Sequence, residues 1–85
     1  MFINKAEKGY HNLCGTIVEK RRKELKKSQR ELADMLQIAG LDIDKNAVQR
    51  IEARKRFVTD IELVYLAKVL GLTYETLLSA PSEQA

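Results

Sequence analysis

The apolar residues recur at the three- and four-residue spacing of amphipathic helices, and the alternating runs typical of strands are almost absent. The segment CGTIVEKRRKEL carries one broad apolar stripe, which predicts a first helix at about residues 13–26. The apolar residues of ELADML form the inner face of a second predicted helix, which begins after Ser28 and stops near Gly40. The pattern therefore favours short helices packed on one another.

Polar residues at the predicted helix starts have the pattern of N-terminal caps. Ser28 with Glu31, and Thr59 with Glu62, each match a capping box, in which a hydroxyl and a carboxyl satisfy amides at the start of a helix. Asp44 stands where a third helix would begin and is a favoured cap residue. These signals predict where the second, third and fourth helices begin.

The third and fourth predicted helices differ in their apolar patterns. The third, at about residues 45–53, has Val48 and Ile51 on one side and polar side chains on the other. The fourth, DIELVYLAKVL, is apolar nearly all round and ends at Gly71. It is therefore predicted to be the most buried element.

The predicted fold class is all-α, a compact bundle of five short helices. Thr73 is the expected cap of the fifth, which closes a domain over residues 13–79. Residues 1–12 are expected to form a flexible arm and residues 80–85 a disordered tail. The link QIAGLDID before the third helix is long, and its apolar residues, Leu41 and Ile43, are expected to tuck inward.

The composition excludes several classes of protein. The chain has 85 residues, 45% hydrophobic and 32% charged, as expected of one small globular domain. No stretch has the pattern of a signal peptide or a membrane span, and the single cysteine, Cys14, favours a reducing, cytoplasmic setting. His11 and Cys14 are the only His and Cys, so no metal site is predicted. No enzyme activity, cofactor or small-molecule ligand is expected.

Positive charge is concentrated in two stretches. Residues 20–30 contain seven cations and one acid, and residues 45–56 contain five cations and one acid. From residue 59 onward, four acids oppose one cation. Each basic stretch has a plain interpretation as a solvated helix surface, but the uneven distribution also suits a polyanion on one side of the molecule.

The third predicted helix carries the side chains with the clearest chemical purpose. Two helices joined by a turn, the second presenting amides and cations outward, are how a helix is offered to the DNA major groove. Asn and Gln can bond bidentately to adenine, and Lys or Arg to guanine. The base-reading candidates are Lys45, Asn46, Gln49 and Arg50. The phosphate candidates, at the end of this helix and the start of the second, are Ser28, Gln29, Arg30, Arg54, Lys55 and Arg56.

The chain from about Ile17 to Leu78 resembles the helix-turn-helix domain of the lambda-repressor and Cro family of bacterial and phage regulators. The matching stretches are SQRELADML, NAVQRIEARKR and TDIELVYLAKVLGLTYETLL. The resemblance implies that the third helix reads DNA and that Arg22 and Glu52 form an internal salt bridge. A carboxylate on the inner edge of the third helix needs such a partner for physical reasons also.

Two departures from the family pattern concern the third helix. The turn before it is several residues longer than usual, which leaves its orientation less defined. Arg54 stands where the family often has glycine, so the helix lacks its easiest left-handed stop.

These features predict a sequence-specific transcriptional regulator, a repressor that occupies its operator as a homodimer on double-stranded DNA. The dimerisation candidates are Leu70, Tyr74, Leu77 and Leu78. One alternative is an antitoxin or mobile-element regulator that also binds a partner protein, and another is a protein-interaction module that reads no DNA. A membrane binder is disfavoured because the cations are spread over several helices.

Overall fold

The computed structural model describes residues 10–79, and within them the chain forms five helices and no strand. The helices are α1 (Gly15–Glu24), α2 (Gln29–Ala39), α3 (Lys45–Glu52), α4 (Asp60–Leu70) and α5 (Tyr74–Leu77). The predicted all-α fold of five short helices is confirmed. Most of the expected N-terminal arm (residues 1–9) and the expected tail (residues 80–85) lie outside the described residues.

The predicted caps fix the starts of four helices. The Ser28 hydroxyl accepts a hydrogen bond from the Glu31 amide at 3.0 Å, and the Glu31 carboxylate accepts one from the Ser28 amide at 2.7 Å. Thr59 forms the second capping box, while Asp44 and Thr73 cap α3 and α5. These bonds satisfy amides that have no carbonyl partner in the first turn of a helix. Local sequence is therefore sufficient to place these starts.

The hydrophobic core is shared by all five helices. α2 packs on α3 and α4, and α1 packs on α3, α4 and α5. Leu32, Leu36 and Leu77 are fully buried, at 0% exposed. In the long link between α2 and α3, Ile43 is buried and Leu41 half-buried. The predicted inward packing of these two residues is confirmed, so the link is anchored to the core.

Helix α4, which the sequence predicts to be the most buried element, is not covered on every side. Ile61 and Val64, on its outer side, are 64% and 46% exposed. A domain of this size has too few other elements to cover a helix on every side. The sequence of a helix that is apolar all round gives no indication of which side is covered. The buried residues of α4 are Leu66, Ala67 and Leu70.

All four longer helices end next to a residue in the left-handed conformation. At the ends of α2 and α4 this residue is a glycine, Gly40 with φ 119° and Gly71 with φ 68°, as predicted. At the ends of α1 and α3 it is a cation, Lys26 with φ 59° and Arg54 with φ 62°. Any residue other than glycine is strained by about 1–2 kcal/mol in this backbone conformation. The surrounding structure must therefore stabilise these two helix ends.

Candidate nucleic-acid interface

The outer face of α3 carries the four predicted base-reading residues. Their side chains lie exposed, while Val48 and Ile51 on the opposite face are each 1% exposed. The inner face packs on α2 and α1, so α3 is held by two other helices. The exposed residues of this face are Lys45, Asn46, Gln49 and Arg50.

A buried ion pair ties the inner end of α3 to α1. Arg22 donates through Nε to Glu52 at 2.7 Å and through a terminal nitrogen to its other carboxylate oxygen at 3.0 Å. The two side chains are 10% and 3% exposed. Hydrogen bonding to Glu52 raises the pKa of Arg22, so the guanidinium stays charged at all ordinary pH values. The predicted internal salt bridge is confirmed.

The same ion pair also fixes the start of α2. The remaining Arg22 nitrogen donates to the Lys27 carbonyl at 2.8 Å, and the Gln29 amide nitrogen donates to Glu52 at 3.0 Å. Glu52 therefore accepts from two elements at once. As a result, these hydrogen bonds fix the position of the start of α2 relative to α3.

The cations at the start of α2 face solvent. Arg30 is exposed, as expected for a phosphate contact, and Gln29 is half-buried against Glu52. The Ser28 hydroxyl is already engaged in the capping box. Hydrogen bonding to the Ser28 amide also lowers the pKa of Glu31, so this carboxyl remains charged beside the helix start.

Two further cations, Lys26 and Lys27, are exposed in the turn before α2. They were not among the predicted site residues, although they belong to the basic stretch of residues 20–30. The signal that could have found them is their place directly before Ser28, the predicted cap of the second helix. Together with Arg30 they form one exposed basic group next to α3.

The three cations after α3 have three different environments. Lys55 is exposed. Arg54 is only 8% exposed, and its Nε donates to the Asn12 carbonyl at 3.0 Å. The expected surface position of Arg54 was therefore wrong, because its side chain folds back under the N-terminal segment. Arg56 donates two hydrogen bonds of 2.9 Å to the Glu62 carboxylate. This contact raises the pKa of Arg56 and lowers that of Glu62.

The predicted dimerisation residues divide into two groups. Leu70 and Leu77 are 1% and 0% exposed and belong to the core, so they offer no surface to a second copy. Tyr74 and Leu78 are 53% and 50% exposed. The two buried leucines were misplaced because periodicity does not separate the residues that complete a core from those that cover it.

Other chemistry is sparse in the part of the chain that the structure describes. Residues 10–79 contain no cluster of three or more side chains suited to a metal ion. Burial raises the pKa of the Cys14 thiol to about 11, so this group stays protonated. No helix in this range is long and apolar enough to cross a membrane.

Two capped helices joined by a turn, with the second presenting an exposed polar face, define the helix-turn-helix class of DNA-binding proteins. A family model described as helix-turn-helix matches residues 18–77. The chain therefore belongs to the helix-turn-helix family of lambda-repressor and Cro type, a family of DNA-binding regulators. No curated protein and no solved structure matches the chain.

Proposed function

We propose that this protein is a sequence-specific transcriptional regulator that places α3 in the major groove of double-stranded DNA. The observation that carries the proposal is the exposed outer face of α3 together with the buried pair at its inner end. Asn46 and Gln49 are free to meet base edges, while Arg22 and Glu52 hold the helix that presents them.

Exposed cations at the start of α2 and after α3 suit contact with phosphates. Arg30 lies at the start of α2, whose first amides have no carbonyl partner and carry partial positive charge. Lys26 and Lys27 adjoin it, and Lys55 lies beyond the end of α3. Phosphate contacts at these two places would fix the register of α3 without reading sequence. We leave Arg54 out of this set because it is buried.

We further propose that the protein acts as a homodimer that represses by occupying a two-fold operator. The support is the exposed apolar surface of α4 and α5, from Ile61 and Val64 to Tyr74 and Leu78. A two-fold dimer would place two α3 helices about 34 Å apart on one side of the DNA. Sedimentation of the protein alone and bound to a full operator tests this, and a monomer in both cases would contradict it.

The second candidate is a regulator of the antitoxin or mobile-element kind, which binds DNA and a partner protein. The same exposed apolar surface favours it, because a second protein could cover that surface instead of a second copy. A protein-only module would show no sequence preference on DNA, and neither would a membrane binder.

Selection of bound duplexes from a random pool, at one fixed salt concentration, tests the proposed function directly. We expect enrichment of one short motif, repeated with two-fold symmetry if the protein dimerises on its site. Enrichment of no motif, with equal affinity for all duplexes, would contradict sequence-specific regulation and favour the protein-interaction alternative. The salt concentration is fixed because non-specific affinity depends strongly on it.

A further inference from the structure

The first described residues, Tyr10–Asn12, wrap the end of α3, and we call them the N-terminal clasp. The sequence predicts a flexible arm up to residue 12, but Asn12 is 8% exposed. The His11 amide donates to the Arg54 carbonyl at 3.0 Å, and the Tyr10 ring lies 3.9 Å from the Arg54 guanidinium carbon. The packed domain therefore begins before α1.

Asn12 closes the segment that follows α3 by bonding to both of its ends. Its side-chain nitrogen donates to the Ile51 carbonyl at 3.2 Å and to the Arg56 carbonyl at 2.8 Å. Its side-chain oxygen accepts from the Gly15 amide at 2.8 Å. One buried amide thus joins the start of α1, the last turn of α3 and the far end of the following loop.

Arg54 contributes the opposite half of this arrangement. Its left-handed backbone ends α3, with the Arg54 amide donating to Ile51 and the Lys55 amide donating to Arg50, both at 2.9 Å. Its Nε returns to the Asn12 carbonyl at 3.0 Å. The contacts of the clasp thus offset the backbone strain of Arg54, whose left-handed conformation suits glycine.

The start of α1 leaves no space for a side chain beside the last turn of α3. A Cβ placed on Gly15 would overlap the carbonyl oxygen of Ile51, so α1 begins in direct backbone contact with the last turn of α3. This contact leaves the loop after α3 little freedom to shift toward α1. The loop that carries the exposed Lys55 is therefore held in place by these contacts.

We propose that Asn12 is a positioning residue for DNA binding, which holds the loop after α3 so that Lys55 is directed at a phosphate. The inference rests on the proposed function and deepens it. Asn12 is neutral and buried, so it acts through Lys55 and not by touching DNA. A mobile loop would have to be ordered when DNA binds, and the conformational cost would weaken the phosphate contact.

The test compares Asn12→Ala with the wild-type chain on a selected duplex and on a random duplex. Binding is measured over a range of salt concentrations, at a temperature at which circular dichroism shows both proteins folded. We expect Asn12→Ala to bind both duplexes about fivefold more weakly and the salt slope to fall by up to about one unit. The ratio of the two affinities should not change, because the base-reading face of α3 is untouched.

The substitution removes no charge, so a smaller salt slope would report a lost phosphate contact made by another residue. A purely structural role would lower the melting temperature and leave the affinities and the salt slope of the folded protein unchanged, which would overturn the proposal. The matched control is Leu13→Ala, the next residue along, which is 36% exposed and should bind like the wild type.

Tyr10→Ala decides the question if Asn12→Ala does not fold. Tyr10 is 38% exposed, so its removal weakens the clasp over Arg54 without opening the core. We expect the same change in smaller measure, with both affinities and the salt slope reduced, and wild-type values would overturn the proposal. If the wild type itself prefers no duplex, the proposed function fails. If the wild type selects DNA and the variants bind as it does, only the proposal for Asn12 fails.

Discussion

The turn after α1 and the loop after α3 solve the same backbone problem in different ways. Each places a cation, Lys26 or Arg54, in the left-handed conformation. The turn is held by Arg22, a buried residue of α1, which donates to the Lys27 carbonyl. The loop is held by Asn12 of the N-terminal clasp, whose side chain donates to carbonyls at both ends of the loop.

The difference determines which cations remain available on the surface. Because the turn is anchored through a backbone carbonyl, the side chains of Lys26 and Lys27 stay exposed. Because the loop is anchored through side chains as well, Arg54 is buried and Arg56 is paired with Glu62. Only Lys55 is left facing solvent among the three cations after α3. The number of cations in a stretch therefore overstates the charge that a ligand would meet.

The largest expected effect comes from breaking the buried ion pair of Arg22 and Glu52. Glu52→Ala leaves the buried Arg22 guanidinium without its partner and also removes the acceptor for Gln29. We expect a loss of about 3 kcal/mol in the free energy of unfolding, because an unpaired buried charge is costly. Urea denaturation at neutral pH measures it.

The matched control for this change is Glu24→Ala, which removes a carboxylate 50% exposed beside Arg21. That variant should stay within about 0.5 kcal/mol of the wild type, as exposed pairs usually do. A Glu52→Ala protein as stable as the control would mean that the turn does not depend on this anchor.

Glycine substitutions at the two left-handed cations compare the segments directly. Lys26→Gly relieves backbone strain at an exposed side chain and should stabilise the fold by about 1 kcal/mol. Arg54→Gly relieves similar strain but loses the bond to the Asn12 carbonyl and the contact with Tyr10, so we expect a net loss of about 1 kcal/mol. Urea denaturation of both variants gives the comparison. Equal stabilisation by the two changes would show that the Arg54 side chain holds nothing.

The smallest effect concerns the pair formed by Arg56 and Glu62. The pKa of Glu62 is lowered from its ordinary 4.5, first by hydrogen bonding to Arg56. The stabilisation is therefore present above this value and is lost as the pH falls through the lower pKa of the folded state. We expect Glu62→Gln to unfold at lower urea than the wild type at neutral pH, with the difference closing between about pH 5 and about pH 2. A gap that does not depend on pH would mean that the charge of Glu62 is not involved.

Local signals in the sequence were sufficient for the helices and for much of the core. A capping box involves residues three apart, so Ser28 and Thr59 mark helix starts without knowledge of the tertiary structure. The apolar spacing of α3 likewise separates its two faces. The pairing of Arg22 with Glu52 came from the family resemblance, supported by the cost of an unpaired inner carboxylate.

What the sequence did not reveal depends on contacts between distant residues. Asn12 and Arg56 are 44 positions apart, and nothing local indicates that they meet. The burial of Arg54 follows from its own contacts with Tyr10 and Asn12, since a cation after a helix otherwise looks exposed. In α4, apolar residues on every side hid the fact that Ile61 and Val64 face outward. Tertiary packing decided each of these cases.

The central claim is that α3 reads base edges while its flanks contact phosphates. The most direct test is the ratio of affinities for a selected and a random duplex, measured for Asn46→Ala, Gln49→Ala and Lys55→Ala over the same range of salt concentrations. We expect the Asn46 and Gln49 variants to lose about 1–3 kcal/mol on the selected duplex and almost nothing on the random one. Lys55→Ala should weaken both duplexes alike and lower the salt slope by about one unit. Equal losses on both duplexes from Asn46→Ala and Gln49→Ala would contradict the placement of α3 in the major groove.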